Sequence, residues 1–535
     1  MLPWTPPDEF TGEERAVLER HFTDVDGPVF ALVNLPEVTK GALFARYSRS
    51  PRSLRRLFLD EFVDDEGPVG SSSGTGDAGL ERAEHLYERV FLEYGDDSVA
   101  QLGGVHLACE HSSQLLAKVL EWGRLAAYLE QSTRYVPYDD RPGGRYRYIV
   151  PPEIEGSPLE ERFERSCDEA FETYARWLEP MQDFYREHYP KDPEDSDFVY
   201  RMSIRAKACD TLRGLLPAAT RTNVGIYATG QAYEQLLLRM RAHPLDEVRA
   251  YGERMLEELR KVIPAFLTRV DREDRGGAWS RYLEDTRGRT QEVAGRLLHE
   301  EPEPRPHVVL TDFDPEGEYK VVAAALYAAS ALPDDQLLRR VEKLAPAERL
   351  AILEAAVGER TNRRHKPGRA FERTSYRFDV LCDYGAFRDL QRHRLLTIEW
   401  QPLSPQHGYD LPPEVEPAGA LGEWQRVMEE SASLHDALVE QGLVDATQYA
   451  VAMAYRIRFV IQMNAREAMH LIELRSTPQG HPAYRRVAQD MHRLIADVHP
   501  AIAGTMSFVD HSDVDLERLE AERRTDARRR ELEAR

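Results

Sequence analysis

Three echoes, in the same order, constrain this chain more than any other feature. Residues 29–57 (VFALVNLPEVTKGALFARYSRSPRSLRRL) and 308–340 (VVLTDFDPEGEYKVVAAALYAASALPDDQLLRR) both pass from a short β-like piece through an acidic turn into a helix that reaches Leu-Arg-Arg. IVPPEI (149–154) returns as LPPEV (411–415), and LRMRAHPLDEVR (238–249) returns as LRSTPQGHPAYRR (474–486). A period of this kind means a duplicated unit, here of roughly 250 residues. The division that follows is an N-terminal extension (1–24), a first unit (25–272), a polar and then Pro-rich linker (273–305), a second unit (306–510) and a charged tail (511–535). The linker runs into EEPEPRPH (300–307), a semi-rigid composition, and the tail alternates acid and base, as a solvated helix or frayed end would. GPVGSSSGTGDAG (67–79) reads as a flexible surface insertion, since no Lys-Ser/Thr follows its glycines as a phosphate loop requires.

Composition narrows the class. Asp and Glu outnumber Lys and Arg by 93 to 70, a net charge of -23, which argues against a broad nucleic-acid-binding surface. Four scattered cysteines, Cys109, Cys167, Cys209 and Cys382, form no CxxC pair, which fits a reduced, cytoplasmic protein. The start, MLPWTPPDEF, has neither a basic region nor an apolar core, so no signal peptide is expected. The apolar run Val321–Leu332 is too short and Ala-rich to cross a bilayer. Most segments have helical periodicity, and Thr211–Leu238 and Ala446–Leu474 read as long packed helices. Val29–Val33, Tyr146–Val150, Val308–Thr311 and Tyr376–Leu381 read as short strands, too scattered for a βαβ pattern. The expected class is a helix-rich α+β fold of two tandem units.

Two segments carry the chemistry. Arg392, His393 and Arg394 place two permanent cations and a titratable ring in three positions, within DLQRHRLLTIE (389–399). Such a cluster repels itself unless an anion lies close. In LEQSTRY (129–135), Glu130, Ser132 and Arg134 set a carboxylate, a hydroxyl and a guanidinium at alternate positions, on one side of an extended chain. His106, Cys109 and His111 lack a matching second ligand pair, so no metal is expected there.

Together these segments resemble the two halves of the signature of the flavin-dependent thymidylate synthases, Arg-His-Arg-x-x-Ser-x-Asn-Glu-x-Ser-x-Arg-Tyr. The second unit keeps Arg392, His393 and Arg394, with Thr397 where Ser is usual, and then departs: Glu399, Trp400, Pro402 and Ser404 replace Asn, Glu, Ser and Arg. The first unit keeps Glu130, Ser132, Arg134 and Tyr135, but has Trp122-Gly123-Arg124 in place of Arg-His-Arg. A later family motif divides the same way. Arg213-Gly-Leu-Leu-Pro217 is intact in the first unit, whereas Asn464-Ala465-Arg466 and Arg475 are intact in the second.

The resemblance implies one composite site per pair of units, with the nucleotide side from the first and the flavin side from the second. Glu130, Ser132, Arg134, Arg213, Arg392 and Arg475 would bind substrate. Arg134 and Arg213 would clamp its phosphate, Ser132 would lie near the pyrimidine, and Arg475 would stabilise charge developing on the uracil; Ser132 and Arg475 are the catalytic candidates. Arg392, His393, Arg394, Asn464, Arg466 and His470 would contact FAD. On a regular helix Asn464 and Arg475 share a face that Arg466 opposes. The implied reaction is methylation of dUMP to dTMP, with methylenetetrahydrofolate and NADPH as co-substrates, by a homodimer equivalent to four units, with neither extended nucleic acid nor membrane as partner. Asp389 stands where the family has Gln, with Gln391 nearby. That departure motivates one alternative, a flavoprotein of the same fold acting on another nucleotide or an RNA uridine; a third reading, from a different class, is a non-catalytic nucleotide-binding or scaffold protein.

Overall fold

The computed structural model describes residues 8–47, 50–64, 67, 68 and 101–533. Residues 69–79 of the expected insertion lie outside this range. The chain forms two compact units that interleave in sequence. One comprises 1–110, 123–130 and 223–300; the other comprises 111–122, 131–222 and 301–535. Compactness reports packing rather than ancestry, so this partition is separate from the duplication.

In the first unit, helices Gly12–His21, Glu37–Tyr47 and Leu54–Glu61 precede a three-stranded sheet. Its strand order places Arg221–Thr229 between Gly104–Ser113 and Ala126–Glu130. The expected polar linker contains a 20-residue helix, Ala278–Leu297.

The second unit is built on a four-stranded antiparallel sheet of β1 (Val308–Phe313), β2 (Ser375–Asp383), β3 (Leu396–Trp400) and β4 (Arg456–Asn464), in the order β1-β2-β4-β3. Its helices include α1 (Gln114–Leu120), α2 (Glu160–His188), α3 (Asp197–Leu212), α4 (Tyr384–Leu390), α5 (Leu421–Glu440), α6 (Ala465–Arg475), α7 (Pro482–Val498) and α8 (Leu519–Glu533); four others, Gly317–Tyr327, Asp334–Val341, Pro346–Val357 and Pro500–Gly504, complete the α-helices among its described residues. Strand β4 alternates strictly: Ile457, Phe459, Ile461 and Met463 are buried and the residues between them are not. Tyr376, Phe378, Val380 and Cys382 on β2 do the same. The four cysteines are free thiols and all are buried. Among the described residues, no helix is long and apolar enough to cross a membrane.

Both long helices expected from the sequence are corrected. Thr211–Leu238 is a 3-10 turn, a strand and a helix, and Ala446–Leu474 likewise contains β4 followed by α6. In each the apolar residues repeat every two positions over nine residues, the period of a strand. Apolar flanks blur that period into an all-round apolar helix. Of the four expected strands, Val308–Thr311 and Tyr376–Leu381 lie in β1 and β2. Val29–Val33 and Tyr146–Val150 supply only isolated bridges, Leu32 to Phe22 and Tyr148 to Thr220.

The duplication is visible in the element order. Strand, short helix, strand, long helix, strand and helix occur twice, with α3 added before the third strand of the first repeat, and in each sheet that third strand inserts between the two that precede it. The matching pieces agree in length: the short helices have 7 residues, the second strands 5 and the third strands 9. Caps repeat too. Ser113 and Asp383 cap the two short helices, and Thr229 and Asn464 cap the two that follow the third strands.

Within the second unit, segments from both repeats pack together. The Tyr384 hydroxyl donates to the Gln114 carbonyl (3.1 Å) and the Gln391 amide to that of Lys118 (2.8 Å), joining α4 to α1. Helices α2 and α5 are laced by Arg162–Glu430, Arg176–Glu423 and Arg426–Glu169. The tail is tied down more firmly than a solvated end: Glu517 pairs with buried Lys207 (2.7 Å) and Arg523 with Asp195 (2.6 Å). Phe387 of α4 meets the rings of Phe459 (5.0 Å) and Trp400 (5.6 Å), anchoring the helix that carries Asp389. Phe387→Ala should therefore cost ~3–5 kcal/mol of stability, read from urea unfolding.

Candidate functional site

The site is built around a carboxylate. Asp389, in the last turn of α4, faces Arg475 (3.6 Å), Arg392 (3.8 Å) and Arg213 (3.9 Å). Burial on its own would raise its pKa. Arg392, Arg475, Arg213 and Arg134 outweigh burial and hold it at about 2. Arg213 comes from the first repeat and Arg392 and Arg475 from the second, and all belong to the second compact unit.

Arg134 forks onto Asp210 through Nε (2.7 Å) and Nη2 (2.5 Å) and donates through Nη1 to the Tyr484 hydroxyl (3.0 Å). The Ser132 hydroxyl accepts the Arg134 backbone N–H (3.3 Å), and the Ser132 carbonyl accepts from Tyr135 and Val136. Ser132 thus shapes the turn that aims Arg134 inward.

Arg213 follows α3 in a 3-10 turn and lies 3.9 Å from both Asp383 and Asp389. Its Nη2 is buried and has no hydrogen-bond partner among the described residues. The guanidinium rests against Gly385, where a Cβ would stand 2.9 Å from Cζ, Nε and Nη2. Asp383 caps α4 through Oδ1 (3.0 Å to the Ala386 N–H) and leaves Oδ2 unpartnered. Burial pushes its pKa up to about 6 against the pull of Arg213. A cavity of about 120 Å³ opens beside Arg213 and Asp383, walled by Trp424, Pro412, Pro413 and His481.

His393 connects this cluster to α6. Its Nε2 accepts from Arg475 Nε (3.0 Å), and a guanidinium can only donate, so the ring proton sits on Nδ1 and is given to Glu467 (3.0 Å). Burial drives the His393 pKa down to about 4. Burial raises that of Glu467, but hydrogen bonds from His393 and His470 bring it to about 2. One ring nitrogen each of His393 and His470 and a Glu467 carboxylate oxygen lie within 4.8 Å of one another, close enough for a cation. The Arg475 bond places a proton on His393 Nδ1, so here the trio is held by hydrogen bonds.

The remaining candidates spread out. Arg394 is exposed, and Arg392 reaches Glu121 (3.7 Å) as well as Asp389. Asn464 accepts the Glu467 N–H (2.9 Å) as the cap of α6. Arg466 turns to the Pro367 carbonyl (2.8 Å) and Glu372 (3.6 Å), as its helical position requires. Glu130 is buried at the end of its strand in the first unit. Sequence reasoning missed Asp210, Asp383, Glu467 and Tyr484. Only Asp210, three positions before Arg213, offered a local signal.

The family described as thymidylate synthase complementing protein matches the chain twice, over residues 48–265 and 309–501. A UPF0159 protein of Chlamydia muridarum is 41% identical over 524 residues, covering 97% of this chain and 99% of its own. A flavin-dependent thymidylate synthase of Clostridium tetani is 26% identical over 200 residues, covering 37% of this chain and 74% of its own. Among solved structures, the UMP/dUMP methylase PolB of Streptomyces cacaoi bound with 5-Br dUMP aligns with 38% of this chain and 94% of its own, at 17% identity and a TM-score of 0.30.

Removing one member of the Arg134–Asp210 pair strands a buried charge. Arg134→Ala should cost ~3–5 kcal/mol in urea unfolding, and Arg134→Ala with Asp210→Ala less than the sum of the two singles. His393 in the unfolded chain titrates near ~6.5 and in the folded protein at about 4, so its contribution to stability is full above ~6.5 and is lost as pH falls towards 4. His393→Gln should flatten that part of the stability curve, measured as urea midpoints between pH 7 and 4.

Proposed function

This chain belongs to the thymidylate synthase complementing protein family, and we propose that it methylates C5 of the uracil of dUMP, giving dTMP, with FAD, NADPH and methylenetetrahydrofolate. One observation carries this reading. Arg134 and Arg213 of the first repeat meet Arg392, His393 and Arg475 of the second around Asp389, within one compact unit.

The donor set suits an anionic dinucleotide. Arg394 is exposed, and Arg392, Arg466 and His470 remain about one-quarter to one-third accessible, so their cationic or polar edges can meet phosphate and ring atoms. Asn464 would contribute from a fixed orientation, since the helix cap holds it, while His393, with both ring nitrogens engaged, would act through Arg475. When bound, FAD carries electrons from NADPH and delivers the hydride that completes the methyl group.

The chain's own residues bind and polarise the nucleotide. Arg213, with its unpartnered Nη2, is the leading phosphate donor, and Arg134, aligned by Asp210 and Ser132, flanks it. The Arg475 Nε is committed to His393, which directs its Nη1 towards Asp389 and the centre of the cluster. There it can stabilise negative charge developing on the uracil. The Glu467–His393–Arg475 chain fixes that orientation, so His393 acts as a positioning residue. In the family's arrangement the active form would be a homodimer equivalent to four units.

The second reading, another nucleotide or an RNA uridine, is favoured by Asp389, which introduces a carboxylate where an anionic ligand would lie. Purified protein should absorb near the flavin maximum and release tritium from C5-labelled dUMP when given NADPH and methylenetetrahydrofolate. A protein that stays colourless after incubation with FAD would sink the flavin reading. Flavin-bound protein that spares dUMP but releases tritium from a labelled uridine in RNA would favour the second. Arg394→Ala should weaken FAD binding ~10-fold or more with an unchanged melting temperature, because the side chain is exposed.

A further inference from the structure

Each guanidinium in the cluster already has a carboxylate within 4 Å. Arg134 has Asp210 (2.5 Å), Arg213 has Asp383 and Asp389 (both 3.9 Å), Arg392 has Glu121 (3.7 Å) and Asp389 (3.8 Å), and Arg475 has Asp389 (3.6 Å). Asp389 is the carboxylate that three of them share. Its distances of 3.6–3.9 Å are those of electrostatic neighbours rather than of tight hydrogen bonds. The guanidiniums are therefore arrayed around an anion without being consumed by it.

We propose that Asp389 is a specificity-determining residue: its carboxylate stands in for a ligand anion among Arg213, Arg392 and Arg475, and disfavours a dianionic terminal phosphate. The inference rests on the nucleotide site proposed above and favours its second reading, a uridine whose backbone phosphate is a singly charged diester.

The physical consequence is an exchange. A phosphate dianion entering this cluster meets a fixed negative charge within a few ångströms, in a setting where water screens poorly. It must push Asp389 aside and break three favourable contacts, or stop short of the arginines. Asp389 holds its charge down to strongly acidic pH, so protonation at neutral pH offers no way out. A uracil on an uncharged or singly charged backbone incurs much less of this repulsion. Affinity at this site should then depend little on a 5′-phosphate, unlike that of a bare arginine cluster.

The test titrates inorganic phosphate, dUMP and deoxyuridine against the wild-type protein, Asp389→Asn and Asp389→Glu at constant ionic strength. Asp389→Asn should bind phosphate and dUMP ~10-fold or more tightly than wild type, with deoxyuridine unchanged. Asp389→Glu, which keeps the charge, should behave like wild type. Equal or weaker phosphate binding by Asp389→Asn overturns the proposal. A gain for phosphate with no binding of dUMP by any variant leaves the role of Asp389 intact and sinks the dUMP reading. Should Asp389→Asn fail to fold, wild type decides alone: half-saturation by phosphate above ~5 mM is expected, and tighter binding overturns the proposal.

Discussion

Guanidiniums cannot gather in a protein interior unless carboxylates are set among them, and the second compact unit is organised around that requirement. Arg134 takes Asp210 as a fork, Arg213 lies between Asp383 and Asp389, and Arg475 and Arg392 close the ring. The surrounding structure serves these charges. Gly385 makes room for Arg213, Ser132 turns the chain so that Arg134 faces inward, and Phe387 packs α4 so that Asp389 projects into the ring. The Glu467–His393 bond then holds Arg475 from the other side.

Duplication explains how such a ring could be assembled from segments far apart in sequence. Two copies of one element order pack together within the second compact unit, and their equivalent positions have diverged in role. Asp383 and Ser113 cap matching helices, yet Asp383 also faces Arg213. Asn464 and Thr229 cap another matching pair, and only the former leads into the helix bearing Arg475. Both repeats retain what the fold needs, which is capping and strand alternation.

Much of this was legible in advance, and the exceptions have physical causes. The Arg-His-Arg triplet, the Glu-x-Ser-x-Arg loop and the divergence of Arg466 from Arg475 all follow from local spacing. Strand β4 was hidden because nine residues of period two sit between apolar segments that blend into a helical pattern. Asp389 stood out only as a departure from the family's Gln; its three arginine neighbours make it the hub of the candidate site. Glu467 carried no signal inside a span that reads as one long helix; only the structure puts it in the first turn of α6 and against His393.

By itself the sequence determined the duplication, the helix-rich α+β class and the residue types that meet at the site, because repeats, periodicity and motif spacing are properties of neighbours along the chain. Only the tertiary structure decided the pairings. Arg134 meets Asp210 across 76 residues and Tyr484 across 350. Which carboxylate a buried arginine takes is settled by distance and burial after the segments have packed, since desolvated charges must find partners wherever the fold brings them.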